Sequence, residues 1–245
     1  MVKLKIFEKK SALYDEVARE ICCLIQAKPR LSLGLATGNT QVPLYQSLIR
    51  IAQAKNIDFS QVSTFNLDEY VGIPESSVSS FRYYMKKHLF NTLPVGNSYF
   101  PYADDHRSIT DNISQFEQAI VQHGGIDFQL LGIGRNGHIG FNEPPSQRDS
   151  QTREVMLAPE TLEDNKKDLI PSCMPTSAVT MGINTIYQAK KIALIAVGEN
   201  KAMAIRHMLE YDISPDCPAS YLQDHPNLTV YADPDAVSLL NKRHQ

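Results

Sequence analysis

Residues Leu130–Pro144 read LLGIGRNGHIGFNEP. An apolar run enters Gly132-Ile133-Gly134, and a turn rich in Gly and Asn follows. A buried strand running into a glycine-rich loop is how open α/β sheets place ligand sites, at the carboxyl ends of their strands. The loop then supplies three groups suited to acid–base work, Asn136, His138 and Glu143. Histidine titrates near neutral pH, and a carboxylate five residues on can orient the ring or tune it. The competing reading is a glycine-rich loop whose histidine only fills space.

Outward from this loop, strand-like and helix-like patterns alternate. Residues 11–27 place Leu13, Val17, Ile21, Leu24 and Ile25 on one helical face, with Ser11 as the expected N-cap. Strands are expected at 31–36, 62–67, 128–133, 178–181, 192–197 and 228–231. Helices are expected at 41–54, 80–90, 111–122 and 200–210, with a terminal helix at 234–240. Residues 158–176 mix charges with Pro171 and Pro175 and have no clear period; they read as a helical excursion or lid. Such alternation predicts an α/β fold: a Rossmann-like, mostly parallel sheet with helices on both faces. No repeat or linker divides it, so residues 1–245 are expected to form one domain.

Bulk properties narrow the function. The chain has 245 residues and a formal net charge of −3, so no overall basic field points to nucleic acid or an anionic membrane. The four cysteines are Cys22, Cys23, Cys173 and Cys217. Their spacing is neither a disulfide framework nor a zinc signature, and reduced thiols in a cytoplasmic protein are expected. The opening MVKLKIFEKK is too short in its apolar stretch for a signal peptide. No run approaches the roughly 20 apolar residues of a membrane span.

Three more constellations stand at strand ends. LGLATGNT, residues 33–40, runs from a strand through a glycine turn to a helix start, where backbone N–H groups and the helix dipole favour an anion. It lacks the spacing of a P-loop, and an ordinary Thr-capped turn is the plain alternative. TFNLDEY, residues 64–70, puts two adjacent carboxylates after a buried strand. One can face a pocket and abstract a proton α to a carbonyl while the other pairs elsewhere; solvated loop acids are the common fate. GENK, residues 198–201, can aim the Lys201 ammonium at an anionic substrate, although a lysine is usually at the surface. Arg153 and Lys167 carry the same ambiguity. The shared position at successive strand ends predicts one crevice.

These residues resemble one family nearly end to end. LGLATGNT (33–40), TFNLDEYVG (64–72), LLGIGRNGHIGFNEP (130–144), AVTMGINTI (178–186) and PAS (218–220) are similar to the glucosamine-6-phosphate deaminases, also called glucosamine-6-phosphate isomerases. LDEYVG combined with GxxGHIxFNEP is highly specific. The resemblance implies conversion of glucosamine 6-phosphate and water to fructose 6-phosphate and ammonia, a ketol isomerisation with deamination that makes the chain a hydrolase of the amino sugar. It implies no metal and no organic cofactor. It makes Asp68 the base at C2, and His138, supported by Asn136 and Glu143, the ring-opening group. It assigns the phosphate to Thr37, Gly38, Asn39, Thr40 and Lys201, with Lys167 approximately where better-studied members have Arg. A small sugar phosphate is then the partner, with no nucleic acid and no membrane, and with homo-oligomerisation left open.

The chain also departs from the family. Position 136 is Asn where one large branch has Asp; Asn cannot carry the charge of a carboxylate relay, although it can still hydrogen-bond His138 or Glu143. Gln41 stands where a proline is common, removing a residue that pre-sets a helix start. Two other functions remain: a 6-phosphogluconolactonase-like hydrolase, a fold relative with a similar GxGxxGH loop, and a non-catalytic sugar-phosphate sensor. LDEY and FNEP argue against the first, and retention of Asp68, His138 and Glu143 against the second.

Overall fold

The computed structural model describes residues 2–103, 107–157 and 174–241. The excursion expected at 158–176 therefore lies outside the described residues apart from its last three, and so do Lys167, Pro171 and Cys173.

A seven-stranded sheet carries the fold. Its strands are β1 (Lys3–Ile6), β2 (Ser32–Leu35), β3 (Ser63–Asn66), β5 (Asn97–Tyr99), β6 (Phe128–Gly132), β9 (Ile192–Ala196) and β10 (Leu228–Ala232). They lie in the order β1-β10-β9-β6-β2-β3-β5, with every neighbouring pair parallel. The central strands are apolar on both faces because both faces are covered. In β9, Ile192, Leu194 and Ala196 enter one core, and Ala193 and Ile195 enter the other. The first core holds α4 (Ile109–Gln122), α5 (Ile183–Tyr187) and α6 (Ala202–Glu210). The second holds α1 (Lys10–Ala27) and α2 (Val42–Ala54), which pack on each other.

The chain runs from β2 outward to β3 and β5, then returns to the other side of β2 at β6. The switch point lies between β2 and β6, and crevices for ligands open there, beyond the carboxyl ends of the strands.

A second sheet was not expected. β4 (Asp68–Tyr70), β7 (Arg153–Met156) and β8 (Ser177–Thr180) form an antiparallel trio in the order β4-β8-β7. After β3 the chain leaves the main sheet at Leu67, whose carbonyl accepts from Met181 N at 2.7 Å, and Asp68 pairs with Thr180.

Other expectations need correction. The N-cap of α1 is Lys9, without a side-chain bond, and Ser11 lies inside the first turn. The stretch 80–90 is one α-helical turn, α3 (Phe81–Met85), continued by a π-helical turn at Lys86–Phe90. The terminal helix is only a 3₁₀ turn, Asp235–Val237. Val237 N, Ser238 N and Leu240 N all bond three residues back, and Asp233 Oδ1 takes Ala236 N at 2.9 Å, which fixes a tight turn instead of an α-helix.

Candidate active site

The loop after β2 is built around Gly38, whose φ of 106° is open to glycine and strained for other residues. Gln41 N donates to Gly38 O at 3.0 Å and closes the turn, while Tyr84 Oη donates to the same carbonyl at 2.8 Å. Tyr45 Oη donates to Ala36 O. No side chain of the N-cap residue caps α2, and an uncapped helix start favours an anion. Proline is not lost from this helix start but displaced: Pro43 occupies its first turn.

Asp68 and Glu69 face opposite ways because successive strand residues do. Glu69 is buried and takes four donors: Tyr70 N and Phe81 N at 3.0 Å on Oε1, and Arg82 N at 2.9 Å and Ser80 Oγ at 3.3 Å on Oε2. It holds the start of α3. Burial nevertheless pushes its carboxyl upward, against the pull of those backbone donors. Asp68 has the other fate. It is 6% exposed, it lines the cleft, and its carboxylate takes no hydrogen bond from a described residue. Burial, reinforced by the neighbouring Glu69 charge, pushes it up to about 8.

The loop after β6 folds tightly on its glycines. Gly134 N donates to His138 O at 2.9 Å, and Gly137 N donates to Gly134 O at 3.1 Å. His138 Nδ1 lies 3.0 Å from both oxygens of Glu143. Asn136 spans the pair: its Nδ2 donates to Glu143 Oε2 at 2.7 Å, and its Oδ1 accepts from His138 N at 3.2 Å. The fully buried Asn142 ties the loop down, giving Nδ2 to Ile139 O and Met181 O and taking Arg153 Nη1 on Oδ1, all at 2.8 Å. Arg153 is therefore a tether for this loop. At Gly140 the backbone runs so close to the small sheet that an added Cβ would lie 2.9 Å from Thr180 Oγ1 on β8 and 3.5 Å from Asp68 Oδ2 on β4. The histidine loop and the Asp68 carboxylate are thus neighbours across one wall.

Lys201 closes a 3₁₀ turn after β9. The buried Asp233 fixes that turn by accepting Gly198 N on both carboxylate oxygens, at 2.9 and 3.1 Å, and Lys201 N donates to Gly198 O at 3.0 Å.

These elements enclose a cleft of about 1010 Å³ at the switch point. Of the residues singled out from sequence, Thr37, Gly38, Asn39, Thr40, Asp68, His138 and Lys201 line it. Asn136 and Glu143 stand behind His138 and reach the cleft only through it. Tyr84, Lys87 and His88, from α3 and its π-helical continuation, line it too and were read simply as part of a helix. The Tyr84 and His88 rings are 4.5 Å apart, one helical turn from each other, which is the only signal the sequence held for them. Asn142 and Asp233 were missed because their partners are distant in the chain.

Among the described residues no group of three or more His, Cys, Asp or Glu side chains is placed to hold a metal ion. No helix among them is long and apolar enough to cross a membrane.

A family model described as glucosamine-6-phosphate isomerases/6-phosphogluconolactonase matches residues 8–231. A glucosamine-6-phosphate deaminase of Pseudoalteromonas translucida is 43% identical over 242 residues, covering 98% of this chain and 90% of that protein. The deaminase of Rhodopirellula baltica is 42% identical over 253 residues, covering 99% and 98%. Among solved structures, a monomeric glucosamine-6-phosphate deaminase superposes with a TM-score of 0.91 at 38% identity, covering 97% of this chain and 99% of its own. That relative lends no support to a homo-oligomer. The 6-phosphogluconolactonase of Leishmania guyanensis, with a TM-score of 0.76 at 20% identity, shares the fold alone. The names carry an isomerase and a deaminase, and do not extend to a hydrolase of the amino sugar. With matches of this identity running almost end to end, the chain belongs to the glucosamine-6-phosphate deaminase (isomerase) family.

Proposed function

We propose that this chain converts glucosamine 6-phosphate and water to fructose 6-phosphate and ammonia, with Asp68 as the base and His138 as the ring-opening group. The observation that carries this reading is Asp68 itself, a buried cleft carboxylate pushed up to about 8 and engaged by no described donor. A solvated or paired acid is a weak base, whereas a desolvated one gains basicity near working pH. Lactone hydrolysis needs no base at C2, so such a carboxylate would have no task there.

The pyranose opens first: the anomeric hydroxyl loses a proton and the ring oxygen gains one. Glu143 engages His138 Nδ1, which leaves Nε2 to make both transfers. Glu143 fixes the ring, and Asn136 holds Glu143 without adding charge. In the open chain the C1 aldehyde acidifies the C2 proton. Asp68 takes that proton, giving an enolamine, and a proton delivered to C1 leaves an imine at C2. Water adds to the imine and ammonia departs, leaving the ketose. The Thr37–Thr40 turn, the start of α2 and Lys201 hold the phosphate end.

The test measures ammonia and fructose 6-phosphate released from glucosamine 6-phosphate, with EDTA present, beside a 6-phosphogluconolactone control. Equimolar release of both products is expected. Lactone hydrolysis without ammonia would move the chain to the lactonase reaction, and binding without turnover of either would make it a sensor.

A further inference from the structure

β2 and β6 pair over just two positions, Leu33–Phe128 and Gly34–Gln129. Yet β2 stays with β3 as far as Leu35–Asn66, and β6 stays with β9 as far as Gly132–Ile195. The central pair therefore parts toward its carboxyl ends. Gln41, the N-cap of α2, sends its carboxamide toward this gap: a Cβ added to Gly132 would lie 3.6 Å from Nε2. The residue is 1% exposed and belongs to the cleft wall. Its main chain is fully used, with N–H donating to Gly38 O and C=O accepting from Tyr45 N. Its carboxamide is not. Oε1 is buried without a partner, and neither end bonds a described residue. An amide has capacity for four hydrogen bonds, and native interiors seldom bury one that makes none. Filling the gap would need only an apolar side chain of the same length.

We propose that Gln41 is a substrate-binding residue, its carboxamide engaging the phosphate-bearing end of the sugar phosphate. Nε2 donates to a phosphate oxygen. The placement supports this: Gln41 directly follows the Thr37–Thr40 turn and starts a helix whose dipole already favours the anion. The amide adds a donor there without adding charge. The assignment rests on the function proposed above for the nature of the ligand.

Two variants test it. Gln41→Met keeps the length and removes both polar ends, while Gln41→Glu keeps the shape and sets a negative charge against the phosphate. Each is assayed for the KM of glucosamine 6-phosphate in the ammonia assay and for the Kd of inorganic phosphate by calorimetry, with thermal melting as the check on folding. Gln41→Met is expected to raise KM about tenfold and weaken inorganic phosphate severalfold, with most of the loss in kcat/KM carried by KM. Gln41→Glu is expected to weaken both further. KM and Kd within twofold of wild type in a folded Gln41→Glu protein would overturn the assignment, even if Gln41→Met fails to fold. If wild-type protein released no ammonia, the proposed function would fall, and the phosphate constants alone would decide the role of Gln41.

Discussion

Gly134 lies under the imidazole of His138: a Cβ there would come within 2.3 Å of Cε1 and Nδ1 and 2.5 Å of Nε2. No real side chain tolerates such contacts, so the ring occupies the space that the glycine leaves. The second glycine of the GIG turn thus sets where the histidine stands and how it meets Glu143. Gly134→Ala must push the ring away or reshape the loop. A misplacement of about 1 Å can cost on the order of 10²-fold in rate, and a loss of that size in kcat is the expected outcome. Circular dichroism should show the fold retained, and the deaminase assay checks the rate.

Asp68 gives a prediction with two signs. Its carboxyl is held at about 8 in the folded protein, whereas an unfolded chain would ionise it near the ordinary aspartate range. The native state therefore keeps a proton that the unfolded state releases. Folding stability is unpenalised at acid pH and falls as pH rises from about 4 to about 8. Asp68→Asn removes that penalty. It should melt like wild type near pH 4 and be more stable at pH 8, by up to about 5 kcal/mol, as urea titrations at the two pH values would measure. The same variant should abolish exchange of the substrate C2 proton with solvent while substrate still binds. Near-normal turnover by Asp68→Asn would remove it from the mechanism.

The sequence showed the centre of this fold more clearly than its margins. Strands buried on both faces read as continuous apolar runs, as in IALIA at 192–196, and were placed within a residue or two. The edge strands β1 and β5 carry Lys, Asn and Ser and are largely exposed, so they had no such run to show. The small sheet was invisible because Asp68 meets Thr180 across more than a hundred residues. The site followed the same rule. Asp68 and Glu69 were legible as a pair, but which one faces the cleft depends on that distant pairing. Gln41 and Asp233 acquire meaning only from neighbours brought in by the sheet.

Glu69 should matter for stability and pH response together. It accepts three backbone N–H groups and the Ser80 hydroxyl at the head of α3. Glu69→Gln replaces one accepting oxygen with an NH₂ and leaves at least one buried donor unmatched, a cost of about 1–3 kcal/mol. It also removes the negative charge that helps to raise Asp68. The acidic limb of kcat/KM should then move to lower pH. The shift stays partial because burial, the larger cause, is untouched. A pH–rate profile beside a denaturant melt separates the effects, and a destabilised protein with an unmoved limb would mean that the two carboxylates do not communicate.

Asn136 permits the converse experiment. It now donates Nδ2 to Glu143 Oε2 at 2.7 Å, which favours the carboxylate that engages His138. Asn136→Asp would set a second carboxylate against the first. Two like charges at that distance cannot both form easily, so one carboxyl would hold its proton to higher pH. Part of the support for His138 would then be lost at neutral pH and regained as pH rises. Because ring opening is the step assigned to His138, the loss should fall on the closed-ring substrate. The expected outcome is a several-fold lower rate near pH 7 on the closed-ring substrate. An open-chain analogue assayed in parallel should be spared, since it does not need the ring to open. Equal losses for both substrates would place the Asn136–Glu143–His138 set in the later proton transfers instead.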